Sequence, residues 1–122
     1  MSKLVGTWYI KQYAINGYLN GALVQTETSK DGEFSADNYL QFNSDGTGVE
    51  SVQNASTVFT QKSSFGFRVS GSNITFSRRV ALLFGDSCTY TMPAKDQLIF
   101  HDERHEPAPG LIVEKEDVYL SK

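Results

Sequence analysis

Gly6-Thr7-Trp8-Tyr9 heads the first stretch of alternating apolar residues, and its reading governs the rest of the chain. Glycine allows the tight backbone angle at which a chain enters a curled sheet. Two residues on, the indole of Trp8 is placed to plug one end of such a sheet. It is the only tryptophan present. Burying it removes about 200 Å² from water, worth at most about 5 kcal/mol. A closed β-barrel is the expected architecture; what the barrel holds does not follow.

Outward from that point, short alternating stretches separated by turn residues continue to the end of the chain. The first strand is expected from Gly6 to Ala14, with Trp8 and Ile10 on one face and Asn16-Gly17 breaking it. Tyr18 to Thr28 reads either as a short helix or, over Leu23 to Thr28, as a strand. The clearest hairpin joins Tyr39-Leu40-Gln41-Phe42 to Val49–Gln53 through Asn43-Ser44-Asp45-Gly46-Thr47-Gly48, where Asp-Gly supplies the positive backbone angle a hairpin needs. Phe65, Phe67 and Val69 alternate next, and Gly71-Ser72-Asn73 turns them into Ile74-Thr75-Phe76. Ser87–Met92 and Gln97–Phe100 form another pair through residues 93–96. Beyond the Pro-rich loop 106–110 a last strand runs from Leu111 to Leu120. Its apolar phase changes from odd (Leu111, Val113) to even (Val118, Leu120), so a bulge is expected near Glu114–Asp117. Eight or nine short strands with short connections point to a small up-and-down antiparallel β-barrel, all-β, in one domain spanning residues 1–122.

The composition fits. In 122 residues of 13.6 kDa, 39% are hydrophobic and 12% aromatic, an aromatic tilt that favours strands. A chain of this size buries roughly two thirds of its unfolded surface, so it folds without disulfides or a structural metal. The net charge of −3 and the absence of any basic run longer than Arg78-Arg79 exclude nucleic acid as an expected partner. The single cysteine, Cys88, rules out an intramolecular disulfide and a cysteine-based zinc site, and it reads as a small half-buried residue. Met1-Ser2-Lys3 leads directly into the first strand, with no hydrophobic leader and no transmembrane segment. The protein is therefore expected to be cytoplasmic, or exported and associated with the cell envelope if a leader has been removed.

Four segments in order carry a family likeness: Leu4-Val5-Gly6-Thr7-Trp8, the Tyr39–Gly48 hairpin, Phe67-Arg68-Val69-Ser70-Gly71-Ser72-Asn73-Ile74-Thr75, and Asp117-Val118-Tyr119-Leu120. Together they resemble the small lipocalin-like domains of the calycin superfamily common in bacteria, especially the Bacteroidetes. The resemblance implies an up-and-down barrel, often exported and sometimes lipid-anchored, for a small hydrophobic ligand. Two departures stand out. Lipocalins pack a late-strand arginine across the Gly-x-Trp tryptophan, whereas the last strand here offers only Lys115. Fatty-acid-binding proteins hold a carboxylate with Arg-x-Tyr in the last strand, whereas Asp117-Val118-Tyr119 puts an acid in the arginine's place.

Several groups of residues invite a chemical reading. His101-Asp102-Glu103-Arg104-His105-Glu106 gathers both histidines, but Pro107 and Pro109 oppose the helix that an i, i+4 zinc pair requires. A solvated charged loop is expected there, and no metal or cofactor is assigned. Arg78 is expected to point inward with Phe76 and Val80, or to sit at the open rim, with Arg79 outward. If inward, it needs a carboxylate or a ligand as partner. Arg68 is expected to face out. Val80-Ala81-Leu82-Leu83-Phe84-Gly85 is apolar on both faces and reads as core, as a loop over one barrel end, or as a docking patch. Asn54-Ala55-Ser56 and Asn73-Ile74-Thr75 fit the glycosylation pattern. No catalytic motif is present, and a non-enzymatic binding domain is expected. Its ligand site would be lined by Phe42, Phe65, Phe67, Phe76, Tyr90 and Phe100, with Arg78 as the polar contact. The alternative is a barrel with a filled core that acts through its surface as an interaction, inhibitor or envelope domain.

Overall fold

The structure, a computed structural model, describes residues 2–29, 34–53, 60–80, 82–106 and 112–122. Among the described residues a single 3-10 turn, Ser2–Leu4, precedes nine strands. These are β1 (Gly6–Leu19), β2 (Ala22–Thr28), β3 (Tyr39–Phe42), β4 (Thr47–Gln53), β5 (Thr60–Ser70), β6 (Asn73–Phe76), β7 (Ser87–Ala94), β8 (Gln97–Glu106) and β9 (Ile112–Ser121). Neighbours run β2-β1-β3-β4-β5-β6-β7-β8-β9, all antiparallel, and β9 returns to β1. Eight strands thus close a barrel, with β2 as an additional strand.

Closure depends on the length of β1. Its Tyr9–Leu19 part lies along β9. Its opposite edge is shared, Gly6–Tyr9 with β3 and Ala14–Leu19 with β2. The expected break at Asn16-Gly17 does not occur. Gly17 is paired on both sides, with Gln25 and Glu114, and two flanking ladders override a local turn preference. The turn falls instead at Asn20-Gly21, where φ values of 50° and 88° suit a two-residue hairpin loop. The ambiguous stretch after it is strand, not helix.

The expected bulge in the last strand is also absent. Pairing of β8 with β9 is continuous from Gln97↔Ser121 to Glu106↔Ile112. Register shifts fall at Gly17/Tyr18 opposite β2 and Thr91/Ala94 opposite β8, and the shift against β9 lies in β1, between Ile10 and Gln12. Trp8 and Ile10 face inward before it, and Tyr13 and Ile15 after it. In β9 the inward phase runs unbroken through Glu116, Val118 and Leu120. The sequence looked out of phase because acids occupy the even positions 114 and 116 while the apolar Val113 falls on the odd phase.

Trp8 is fully buried, and its Nε1 donates to the Leu4 carbonyl at 2.9 Å. Lys122 Nζ stands 5.0 Å from the indole centroid. That position, and not Lys115, supplies the cation across the tryptophan. Above Trp8 the interior is filled by phenylalanines centred on Phe42, whose ring lies 4.9 Å from Phe67 and 5.7 Å from Phe65. Phe76 and Phe100 complete the cluster in largely edge-to-face contacts. The Asp45-Gly46 turn forms as expected, with Gly46 at φ 85° and the Asp45 carboxylate accepting from the Thr47 amide at 3.0 Å. Asn54-Ala55-Ser56 and the Pro-rich 107–110 stretch lie outside the described residues.

Candidate functional site

The packed interior stops short of one end of the barrel. On the β5 side, Thr60–Ser64 pair only with β4, because β6 ends at Phe76 and joins the ladder no lower than Phe67. The β6–β7 connection fills part of that gap. Val80 and Leu83 sink into the core at 1% and 3% exposure, and Leu82 takes a left-handed φ of 73° between them. Asp102 ties down the far side of this loop, accepting from the amides of Phe84 at 2.6 Å and Gly85 at 3.3 Å. Val80 and Leu82–Gly85 are therefore both core and cover.

Between this loop and the strands opens a cleft of about 520 Å³. Tyr13 and Ile15 of β1, Val52 of β4 and Val80, Leu82, Leu83 and Phe84 of the loop form its apolar walls. Glu27, Glu50, Gln61, Arg79 and Glu116 are the polar side chains in its lining.

The two deepest carboxylates differ in their environment. Glu50 is held by Arg78, whose Nη1 donates to Oε1 at 2.8 Å. Arg78 is fixed in turn by the Ser63 hydroxyl at 2.6 Å and the Ser64 carbonyl at 3.2 Å. Its side chain is 36% exposed, so Arg78 sits at the rim and reaches in to its carboxylate partner. Glu116 is 2% exposed, and its Oε1 has no hydrogen-bond partner among the described residues. Burial first, then the nearby charges of Asp102, Asp117 and Glu27, pushes its carboxyl up to about 7, with Arg104 pulling the other way. Arg104 is itself paired with Glu114 at 2.5 Å and lies 4.7 Å from the Phe84 ring centroid.

The side chains expected to line a ligand site fall elsewhere. Phe42, Phe65, Phe67, Phe76 and Phe100 are 1–6% exposed and packed on one another. Tyr90 packs against that core and donates to the Gly71 carbonyl at 3.3 Å. These six and Arg78 all lie outside the cleft lining. Arg79 is exposed, as expected, and borders the cleft at its rim. Glu116 escaped the sequence reading. Counting back by twos from Leu120 and Val118 would have found it.

The histidine cluster is strand and not loop, being part of β8. His101 and His105 share a strand face, but four residues of extended chain hold them roughly 13 Å apart, too far to ligate one ion. His101 Nδ1 meets Asp117 Oδ1 at 2.6 Å, and His105 Nε2 meets Glu103 Oε1 at 3.3 Å. Among the described residues no group of three His, Cys, Asp or Glu side chains is placed to hold a metal. Cys88 is buried in β7, and burial reinforced by Asp102 and Glu116 pushes its thiol up to about 12. Such a thiol carries no thiolate at neutral pH.

A family model described as a lipocalin-like domain matches residues 4–98. The chain belongs to the lipocalin-like domain family. The match runs from the residue that accepts the Trp8 hydrogen bond to the first inward residue of β8. No curated protein and no solved structure matches this lipocalin-like chain. The Asp117-Val118-Tyr119 departure has a plain geometric consequence. Asp117 pairs with His101 and Tyr119 with Ile99, and Tyr119 is 36% exposed, so neither lines the cleft of this lipocalin-like barrel. Among the described residues no helix is long and apolar enough to cross a membrane.

Proposed function

We propose that this lipocalin-like barrel is a non-enzymatic binding domain that takes a small, largely apolar molecule in the cleft at its open end. One observation carries the reading. The interior is densely packed from Trp8 to the Phe42 cluster, yet beyond it apolar walls from β1, β4 and the β6–β7 loop enclose about 520 Å³. That volume lies within the range of small-molecule sites, and an apolar lining with few polar groups is their usual character. Titration with the neutral dye Nile red tests it. Saturable binding to the native protein is expected, and Val52→Trp, which fills the cleft, should abolish it while unfolding stays cooperative. Dye binding that is absent, or indifferent to Val52→Trp, rules out the cleft.

A second reading, a surface that docks another protein, draws on the β1–β2 hairpin. Leu19, Leu23 and Val24 are 39%, 58% and 62% exposed there. Among the described residues β2 pairs only with β1 and leaves its other edge open. Sedimentation of the protein and of Leu23→Lys separates the two. Self-association lost in the variant, with Nile red binding intact, would assign the hairpin a role apart from the cleft.

A further inference from the structure

Resting on the reading of the cleft as a binding site, we propose that its ligand is an apolar amine whose ammonium group is held by Glu116. The argument begins with an imbalance. Glu27, Glu50 and Glu116 border the cleft against one cation, Arg79, and the Glu50 charge is already met by Arg78 at 2.8 Å. The Glu116 side chain is 2% exposed, and among the described residues its Oε1 lacks a hydrogen-bond partner. An orphaned buried carboxylate oxygen costs free energy unless a donor or a proton reaches it.

Three ligand chemistries compete for that position. A fatty-acid carboxylate would set a like charge against Glu116 and is repelled. A neutral alcohol offers one weak donor and leaves the charge unmet. An ammonium supplies both a positive charge and several donors, while its hydrocarbon lies against Ile15, Val52 and Leu83. The elevated carboxyl fits this picture, because a buried carboxylate without a nearby cation favours holding a proton, which a bound ammonium would displace. The charges acting on Glu116 are Glu27 from β2, Asp102 and Arg104 from β8, Asp117 from β9 and, sharing the cleft, Glu50 and Arg79. Tyr13 lies on the β1 wall, and the Cys88 thiol of β7 is close enough to feel the same charge.

The test is calorimetric titration with octylamine, octanol and octanoate, a matched set differing only in the head group. At pH 8 octylamine should bind at least about tenfold tighter than octanol, with octanoate weakest. Glu116→Gln should bring octylamine and octanol to similar affinity. Should that variant fail to fold, the wild-type protein decides the question by pH. Between pH 8 and pH 5.5 the amine preference should shrink as Glu116 takes up its proton, while octanol binding stays constant. Equal binding of amine and alcohol at pH 8, or a preference that survives both Glu116→Gln and acidification, overturns the amine assignment and leaves the cleft standing. If none of the three ligands nor Nile red binds, the cleft reading itself falls.

Discussion

Glu116 shows how one residue sets the character of the open end. Its carboxyl holds a proton up to about 7 in the folded protein, against 4.5 in the unfolded chain. Between those values the folded state binds more protons than the unfolded state, so stability falls as pH rises across the window and levels off above it. The gap is worth at most about 3 kcal/mol. Glu116→Gln should therefore stabilise the protein by about 1–3 kcal/mol at pH 8 and by almost nothing at pH 4, read from urea unfolding at both. An equal gain at the two pH values would mean that the charge is not the cause. Trp8 is the opposite case, buried and satisfied. Trp8→Ala should cost about 3–5 kcal/mol, and in the wild type the fluorescence should resist acrylamide and shift to the red on unfolding. Trp8 was legible because a large aromatic beside a strand-opening glycine has few other places to go. Glu116 was not, because a charged residue at an inward position contradicts the pattern by which inward positions are recognised.

At the level of elements, glycines show where strands approach too closely for a side chain. A Cβ on Gly48 would run into the Gln41 carbonyl and the Phe65 ring, both fixed by the sheet and the core. Gly48→Ala should cost more than about 2 kcal/mol. Gly85, in the β6–β7 loop, faces open space and has no left-handed φ, so Gly85→Ala should change stability by less than about 0.5 kcal/mol. Thermal unfolding of the pair checks the contrast, and similar losses in both would show that this loop does not follow the path described. The hairpins at Asp45-Gly46 and Gly71 were readable from turn chemistry alone. The choice between Asn16-Gly17 and Asn20-Gly21 was not, since both dipeptides offer the same local preference. Only the β9 and β2 ladders on either side of Gly17 decide that the chain runs straight through it.

For the whole molecule, the β1–β9 seam makes the sheet a barrel, and β2 stands outside that closure. Amide exchange should reflect this. The Tyr9–Leu19 amides bonded to β9 belong with the slowest, while Ala22–Thr28, exposed along its whole length, exchanges first. Protection of β9 no greater than that of β2 would mean that the ring does not open as a unit. The same closure explains where the cleft lies. A barrel whose lower interior is filled by one indole and five phenylalanines has room only where β6 is too short to continue the wall, and there the β6–β7 loop folds over.

Alternation, turn residues and one plugging tryptophan are local signals, and they were enough to determine the strand class, the barrel and most hairpins. The fold's end points and its site rest on something else. Which register each pair adopts, where the register shifts fall, and whether an arginine meets a glutamate or solvent depend on strands far apart in the chain. The aromatic residues that looked like ligand contacts found one another because hydrophobic burial rewards any apolar neighbour. The cleft arose where they ran out. Its buried acid is placed by a ladder of backbone hydrogen bonds that is indifferent to side-chain charge, so a search for apolar residues alone passes over it.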